Sequence, residues 1–310
     1  MATARHLGLG DLLGAGPRAL SRYTGTLLAV FVVQSLVAVG CMFAVALVLA
    51  QTFAHLPMFD DAVDGSLVAA LWCVRHGRSA FLAVGSLVIG AVLLWGLASW
   101  FLVGGLCGVF AQRPDGRGDT ARCFGASGAA TYLPYARLAL CSLPGYLLVL
   151  FLLLTGLGIA APRVEHALTL PQLLGPLALA ALPAILLLHY LWTVSAYARV
   201  ELALRHDTHD PGVVRTYLHS LAYVFRRPLT LIHAALGWLL FLIVTAAYAY
   251  LAQGHPMYGA EGAVTLFFVR QGVALLRLAI QAGILAGQVE LGRTRPLPPR
   301  RLEAKPSAAA

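Results

Sequence analysis

Apolar residues run through this chain in six long blocks, at approximately residues 25–52, 80–111, 138–161, 172–203, 229–252 and 263–291, separated by short polar or basic stretches. An α-helix rises about 1.5 Å per residue, so about 20 apolar residues cross the roughly 30 Å of hydrocarbon in a bilayer. Every block reaches that length. The pattern predicts an all-α, polytopic integral membrane protein with six transmembrane helices.

Shorter amphipathic stretches lie between the blocks. Residues 7–23 mix leucines with glycines, Pro17, Arg18 and Arg22, as a short interfacial helix does. A weakly amphipathic stretch starts at Asp119. Further on, Asp210 is placed to cap a helix and Pro211 to begin it, and Val214, Leu218, Leu221 and Phe225 then recur at three- and four-residue spacing. The order of interfacial stretch, span and longer span therefore occurs three times, starting near Asp11, Asp119 and Asp210, which predicts a threefold internal repeat. The shared ends Val200-Glu201-Leu202 and Val289-Glu290-Leu291 support it. Gly104 and Gly108, four residues apart in the second block, are placed for close helix packing. Pro144, Pro176 and Pro183 predict kinks. Residues 1–291 thus form one membrane domain, and residues 292–310 a basic, Pro-rich, disordered tail.

Composition supports this class and excludes others. The chain is 59% hydrophobic and 11% charged, against about a quarter charged in soluble domains. A net charge of +9 in a soluble protein would point to nucleic acid, but here the placement of the charges matters more, and no nucleic-acid partner is expected. Seventeen of the 22 Lys and Arg residues fall in alternate loops on one side, and only Arg75, Arg78 and Arg163 on the other. The positive-inside rule then puts both termini in the cytoplasm, in a cell inner membrane, with the basic face against anionic headgroups. The first apolar block begins only after Arg22 and is too long for a cleaved signal, so it reads as an uncleaved anchor.

The last block carries charge where a membrane helix should carry none. Arg270, Arg277, Gln281 and Gln288 are offset by about 7, 11 and 18 positions, which at about 100° per residue places them within roughly 20° on one face. Arg277 lies near the midpoint of the block, where an arginine costs about 2.5–3.5 kcal/mol on insertion scales. Arginine stays protonated, and none of the 13 Asp and Glu residues lies at that depth in any block. The charge of Arg277 must therefore meet water in a cavity, carbonyls freed near Pro144, Pro176 or Pro183, or an anion from outside the chain; on the last reading Arg277 and Arg270 are candidate anion contacts, with Gln281 and Gln288 continuing the stripe. In the fourth block His189, with Thr193 and Tyr197 at successive turns, adds a further ionisable candidate.

Other clusters have simpler explanations. His55, Asp60, Asp61, Asp64 and His76 in the long outer loop, and His206, Asp207, His209, Asp210 and His219 in an inner one, contain metal-ligand residue types. Helix capping and solvent account for them, so no metal and no cofactor are expected. The five cysteines lack metal-ligand spacing and read as structural thiols, with Cys73 outside and Cys123 in an inner loop. No GxSxG, HExxH, paired intramembrane carboxylates or cofactor fingerprint is present, which argues against an enzyme. Two readings remain. One is a non-catalytic scaffold or accessory subunit with a membrane-protein partner or a second copy of itself. The other is a transporter or binding protein for an anionic or lipid-like ligand.

At Tyr197-Ala198-Arg199, Asp210 and Phe225-Arg226-Arg227-Pro228 the chain resembles a broad group of bacterial six-span membrane proteins, including the membrane domain attached to some glycerophosphodiester phosphodiesterases. The resemblance implies a helical bundle with interfacial helices before the odd-numbered spans. It implies no activity, because the soluble catalytic domain of those enzymes has no counterpart in this sequence.

Overall fold

The computed structural model describes residues 8–53, 61, 66–165, 169–205, 212–253 and 260–294. All regular structure among them is helical. The helices are α1 (Leu9–Arg22), α2 (Thr24–Phe53), α3 (Leu67–His76), α4 (Arg78–Gln112), α5 (Arg117–Glu165), α6 (Leu170–Leu204), α7 (Val213–Phe225), α8 (Pro228–Gln253) and α9 (Ala260–Thr294). Six of them, α2, α4, α5, α6, α8 and α9, are long and apolar enough to cross a membrane. The chain divides into two compact units, Gly25–Leu102 and the remainder.

Within the larger unit, the turn between α4 and α5 is made by Arg113 (φ 54°) and Gly116 (φ 87°), flanking Pro114, which cannot continue the helix. The following helix differs from expectation. The amphipathic stretch from Asp119 and the third span are one continuous α5 of 49 residues, about 73 Å at helical rise, running through Pro134, Pro144 and Pro162. No loop separates them because that stretch never needs to turn. Its first half already lies along the end of α4, where a Cβ on Gly105 would stand 2.7 Å from Phe124, and Cβ atoms on Gly104 and Gly108 would overlap Thr131 and Ser127. The predicted close packing at Gly104 and Gly108 is thus realised.

Helices α5 and α6 form an antiparallel pair around Val149, Ala184 and Leu191. Gly145 admits Leu191, and Gly156 lies against the Ala180 carbonyl. The phenol of Tyr146 is 3.3 Å from the Ser195 hydroxyl. Helix α7 starts at Val213 behind Gly212, while Asp210 and Pro211, its expected cap and first residue, lie outside the described residues. Of its expected apolar stripe Val214, Leu218 and Phe225 are exposed and Leu221 is half-buried, while Val213, Thr216, Tyr217, Ser220, Tyr223 and Val224 are buried. Tyr190 donates to the Leu221 carbonyl at 2.9 Å, and the rings of Tyr197 and Tyr223 are 5.5 Å apart. An interfacial helix whose apolar side meets lipid is arranged in this way.

Helix α1 lies on the last turns of α9. A Cβ on Gly16 would stand 3.1 Å from the Gly283 Cα, and one on Gly287 would stand 2.9 Å from the Leu12 carbonyl oxygen. Asp11 accepts from the Gly8 amide at 3.0 Å and closes the first turn. The same relation therefore occurs three times: α1 on the end of α9, the start of α5 on the end of α4, and α7 on the end of α6.

The smaller unit holds most of α2, all of α3 and α4 as far as Leu102. Ser66 caps α3 by accepting from Ala69 at 3.3 Å, and Gly77 separates α3 from α4. Cys73, expected to be accessible outside the membrane, is buried within α3. The apolar run from residue 67 to 72 is thus helical, as the capping reading of the acidic residues before it implies, although Ser66 and not an aspartate supplies the cap. His55, Asp60 and Asp64 lie outside the described residues, as do His206, Asp207, His209 and the tail from residue 295.

Candidate functional site

Helices α8 and α9 pair antiparallel in one register, and this register positions Arg277. His233 meets Gly287, Gly237 meets Ile284, and Thr245 meets Arg277. Arg277 Nη2 donates to the Thr245 hydroxyl at 2.7 Å, and the guanidinium carbon lies 4.7 Å from the Phe241 ring centre. Thr245 in turn donates to the Phe241 carbonyl at 2.7 Å, so its oxygen receives Arg277 as an acceptor. The Arg277 Nε is buried and has no acceptor among the described residues. Trp238 stands edge-on to Phe241 at 5.9 Å, and Trp192 edge-on to Trp238 at 5.5 Å. An arginine at this depth thus lies on an aromatic row contributed by α6 and α8, as cation–π attraction favours.

The rest of the predicted stripe has different surroundings. Arg270 and Gln281 are exposed, Arg277 is half-buried and Gln288 is buried. Gln288 is 11 residues from Arg277, about 16 Å along the helix. His189 lies farther away. Its Nε2 is 3.2 Å from the Leu231 carbonyl and must be the protonated nitrogen, and Leu231 is about 21 Å along α8 from Thr245. The five residues therefore share a helical period or an apolar setting but do not converge on one point.

A sixth polar residue carries no signal in the sequence. His233 is fully buried, and neither ring nitrogen has a partner among the described residues. A Cβ at Gly287 would stand 2.7 Å from its Nε2, so the imidazole occupies space that only a glycine leaves. His233 sits in an apolar block like any tolerated substitution, and only the meeting of α1, α8 and α9 makes it special.

Two ion pairs lie near the C-terminal end of α1. Arg22 binds Asp115 and donates to the Arg113 carbonyl at 3.1 Å, while Arg113 binds Glu290. Burial raises the neighbouring Tyr23 phenol above its ordinary range despite Arg22 beside it. The buried Glu201 pairs with Arg205. Among the described residues no group of three or more His, Cys, Asp or Glu stands close enough together to hold a metal.

Six membrane-length helices and an exposed apolar surface that includes Leu179, Phe151 and Phe268 are consistent with a multi-pass membrane protein. No protein-family model, curated protein or solved structure matches the chain.

Proposed function

We propose that this protein is a non-catalytic scaffold or accessory subunit of a complex in the cell inner membrane, with both termini cytoplasmic, and that it offers α2 and α4 to another membrane protein. The observation that carries this reading is a contrast in burial. Only 6% of the most apolar window of α2, and 6% of that of α4, is buried, against 22% in α8 and 33% in α9. Gly40, Gly85, Gly90 and Gly96 on these two helices have nothing among the described residues within 4 Å of the position of a Cβ. Glycines otherwise weaken a helix, and in membranes they are enriched where a second helix approaches.

A photo-crosslinking amino acid placed in living cells at Leu36, Phe43 or Ile89, all exposed, should give one discrete protein adduct. The same probe at Leu147 or Ile185 of the larger unit should give lipid adducts only. Lipid adducts alone at every position would overturn the proposal. For orientation, Cys123 is the usable probe, because it is half-exposed and Cys73 is buried. A membrane-impermeant thiol reagent added to intact cells should leave it unlabelled.

A further inference from the structure

We propose that Arg277, Phe241, Trp238 and Trp192 form a site for an acidic amphiphile that enters from the lipid and places its oxyanion on the Arg277 guanidinium. The site goes beyond the scaffold reading and does not depend on it.

The argument begins with donors and acceptors. A guanidinium has five N–H groups and keeps its charge at every physiological pH. Among the described residues Arg277 has one acceptor, the Thr245 hydroxyl, and one ring face, Phe241. Neither carries a negative charge. The chain's acidic residues all lie outside the middle of the six apolar blocks, so it has no carboxylate to bring to this depth. A charge in a low-dielectric setting needs a counter-charge, and an oxyanion accepting a forked pair of N–H bonds is the group that guanidinium geometry fits.

Position selects the kind of molecule that brings it. Arg277 is 13 residues before Glu290, the residue paired with Arg113 at the helix end, or about 20 Å along α9. A free aqueous anion would have to leave water to reach it. An amphiphile with a small acid group, a carboxylate or phosphomonoester, arrives through the bilayer with its chain already solvated. The surface beside Arg277 suits such a molecule. Trp192 and Trp238 are 44% and 40% exposed although they are the largest side chains on this face, and they form a continuous aromatic row with Phe241. Rings of this size bind apolar chains at low entropic cost, and the indole N–H groups remain available to a polar headgroup. The Thr245 proton is committed to the Phe241 carbonyl, which leaves Arg277 as the donor toward the guest.

The test uses the full chain in phosphatidylcholine vesicles, with Trp72, Trp95 and Trp100 replaced by Phe so that Trp192 and Trp238 report. Chain-brominated phosphatidic acid, present as a minor component, should quench these tryptophans beyond its mole fraction. Brominated phosphatidylcholine should quench only in proportion. Arg277→Leu should remove the excess, Arg277→Lys should keep part of it, and Arg270→Leu should keep it all. Inorganic phosphate should not compete. Proportional quenching by both lipids in the parent protein would overturn the proposal, as would an excess that survives Arg277→Leu. Full displacement by inorganic phosphate would overturn the amphiphile and assign the guanidinium to a soluble anion. If Arg277→Leu fails to fold, Phe241→Leu is the second arm, and an unchanged excess there refutes the aromatic row.

Discussion

Helices α2 and α4 are more apolar than α8 and α9, yet the two less apolar helices are the more buried. In water the order would be reversed. A lipid tail is as apolar as leucine, so apolarity gives no reason for one membrane helix to leave lipid for another. What brings α8, α9 and α1 together is small residues that let backbones approach and side chains that fill the space left. Gly237 admits Ile284, Gly287 admits His233 and the Leu12 carbonyl, and Gly16 faces Gly283. Gly40, Gly85, Gly90 and Gly96 offer the same opportunity on α2 and α4, and among the described residues no atom lies within 4 Å of where a Cβ would stand.

Substitution at the two kinds of glycine should separate the regions most strongly. Gly287→Leu places carbon where the Leu12 carbonyl and His233 already are, and overpacking of this kind costs about 2–3 kcal/mol. Denaturant unfolding in micelles should show that loss, with α1 becoming accessible to protease. Gly90→Leu, by contrast, should move the midpoint by no more than about 0.5 kcal/mol in the isolated protein. An equal loss at both sites would erase the distinction between the regions.

A smaller effect, of opposite sign, should come from His233. Replacing a buried imidazole that has no partner among the described residues removes an unsatisfied polar group, so His233→Leu should stabilise the larger unit by about 1 kcal/mol in the same measurement. A clear destabilisation would mean that the ring nitrogens are serving a group the helices do not supply. The smallest effect belongs to the charged end of this unit. Arg113 is half-exposed, and an ion pair such as Arg113 with Glu290 contributes about 0.2–1 kcal/mol, so Arg113→Ala should shift stability within that range, less at high salt. Of these variants, only Gly90→Leu should also weaken the crosslink expected from α2 and α4, since it alone fills the open surface.

The blocks of apolar residues by themselves determined the helical class, the six membrane-length helices and, except at the start of α5, which begins at Arg117 and not near residue 138, their near boundaries, because chain length against bilayer thickness is a local property that needs no partner. The Gly104 and Gly108 contact was legible for the same reason, as two small residues four apart define a groove on one helix whatever fills it. Gly283 and Gly287 have that spacing too, on a helix whose Arg and Gln stripe is the stronger departure from an apolar pattern. Helical period correctly placed Arg270, Arg277, Gln281 and Gln288 near one line. It could not say that α1 and α8 cover the region around Gln288, that Thr245 and Phe241 receive Arg277, or that Arg270 stays outside. Those outcomes depend on the register between α8 and α9 and on α1 returning to the far end of the chain. Likewise, Trp192 and Trp238 are 46 positions apart and join one aromatic row only when α6 lies beside α8. Which side chains meet is decided between helices, where the periodicity of any single helix contains no information.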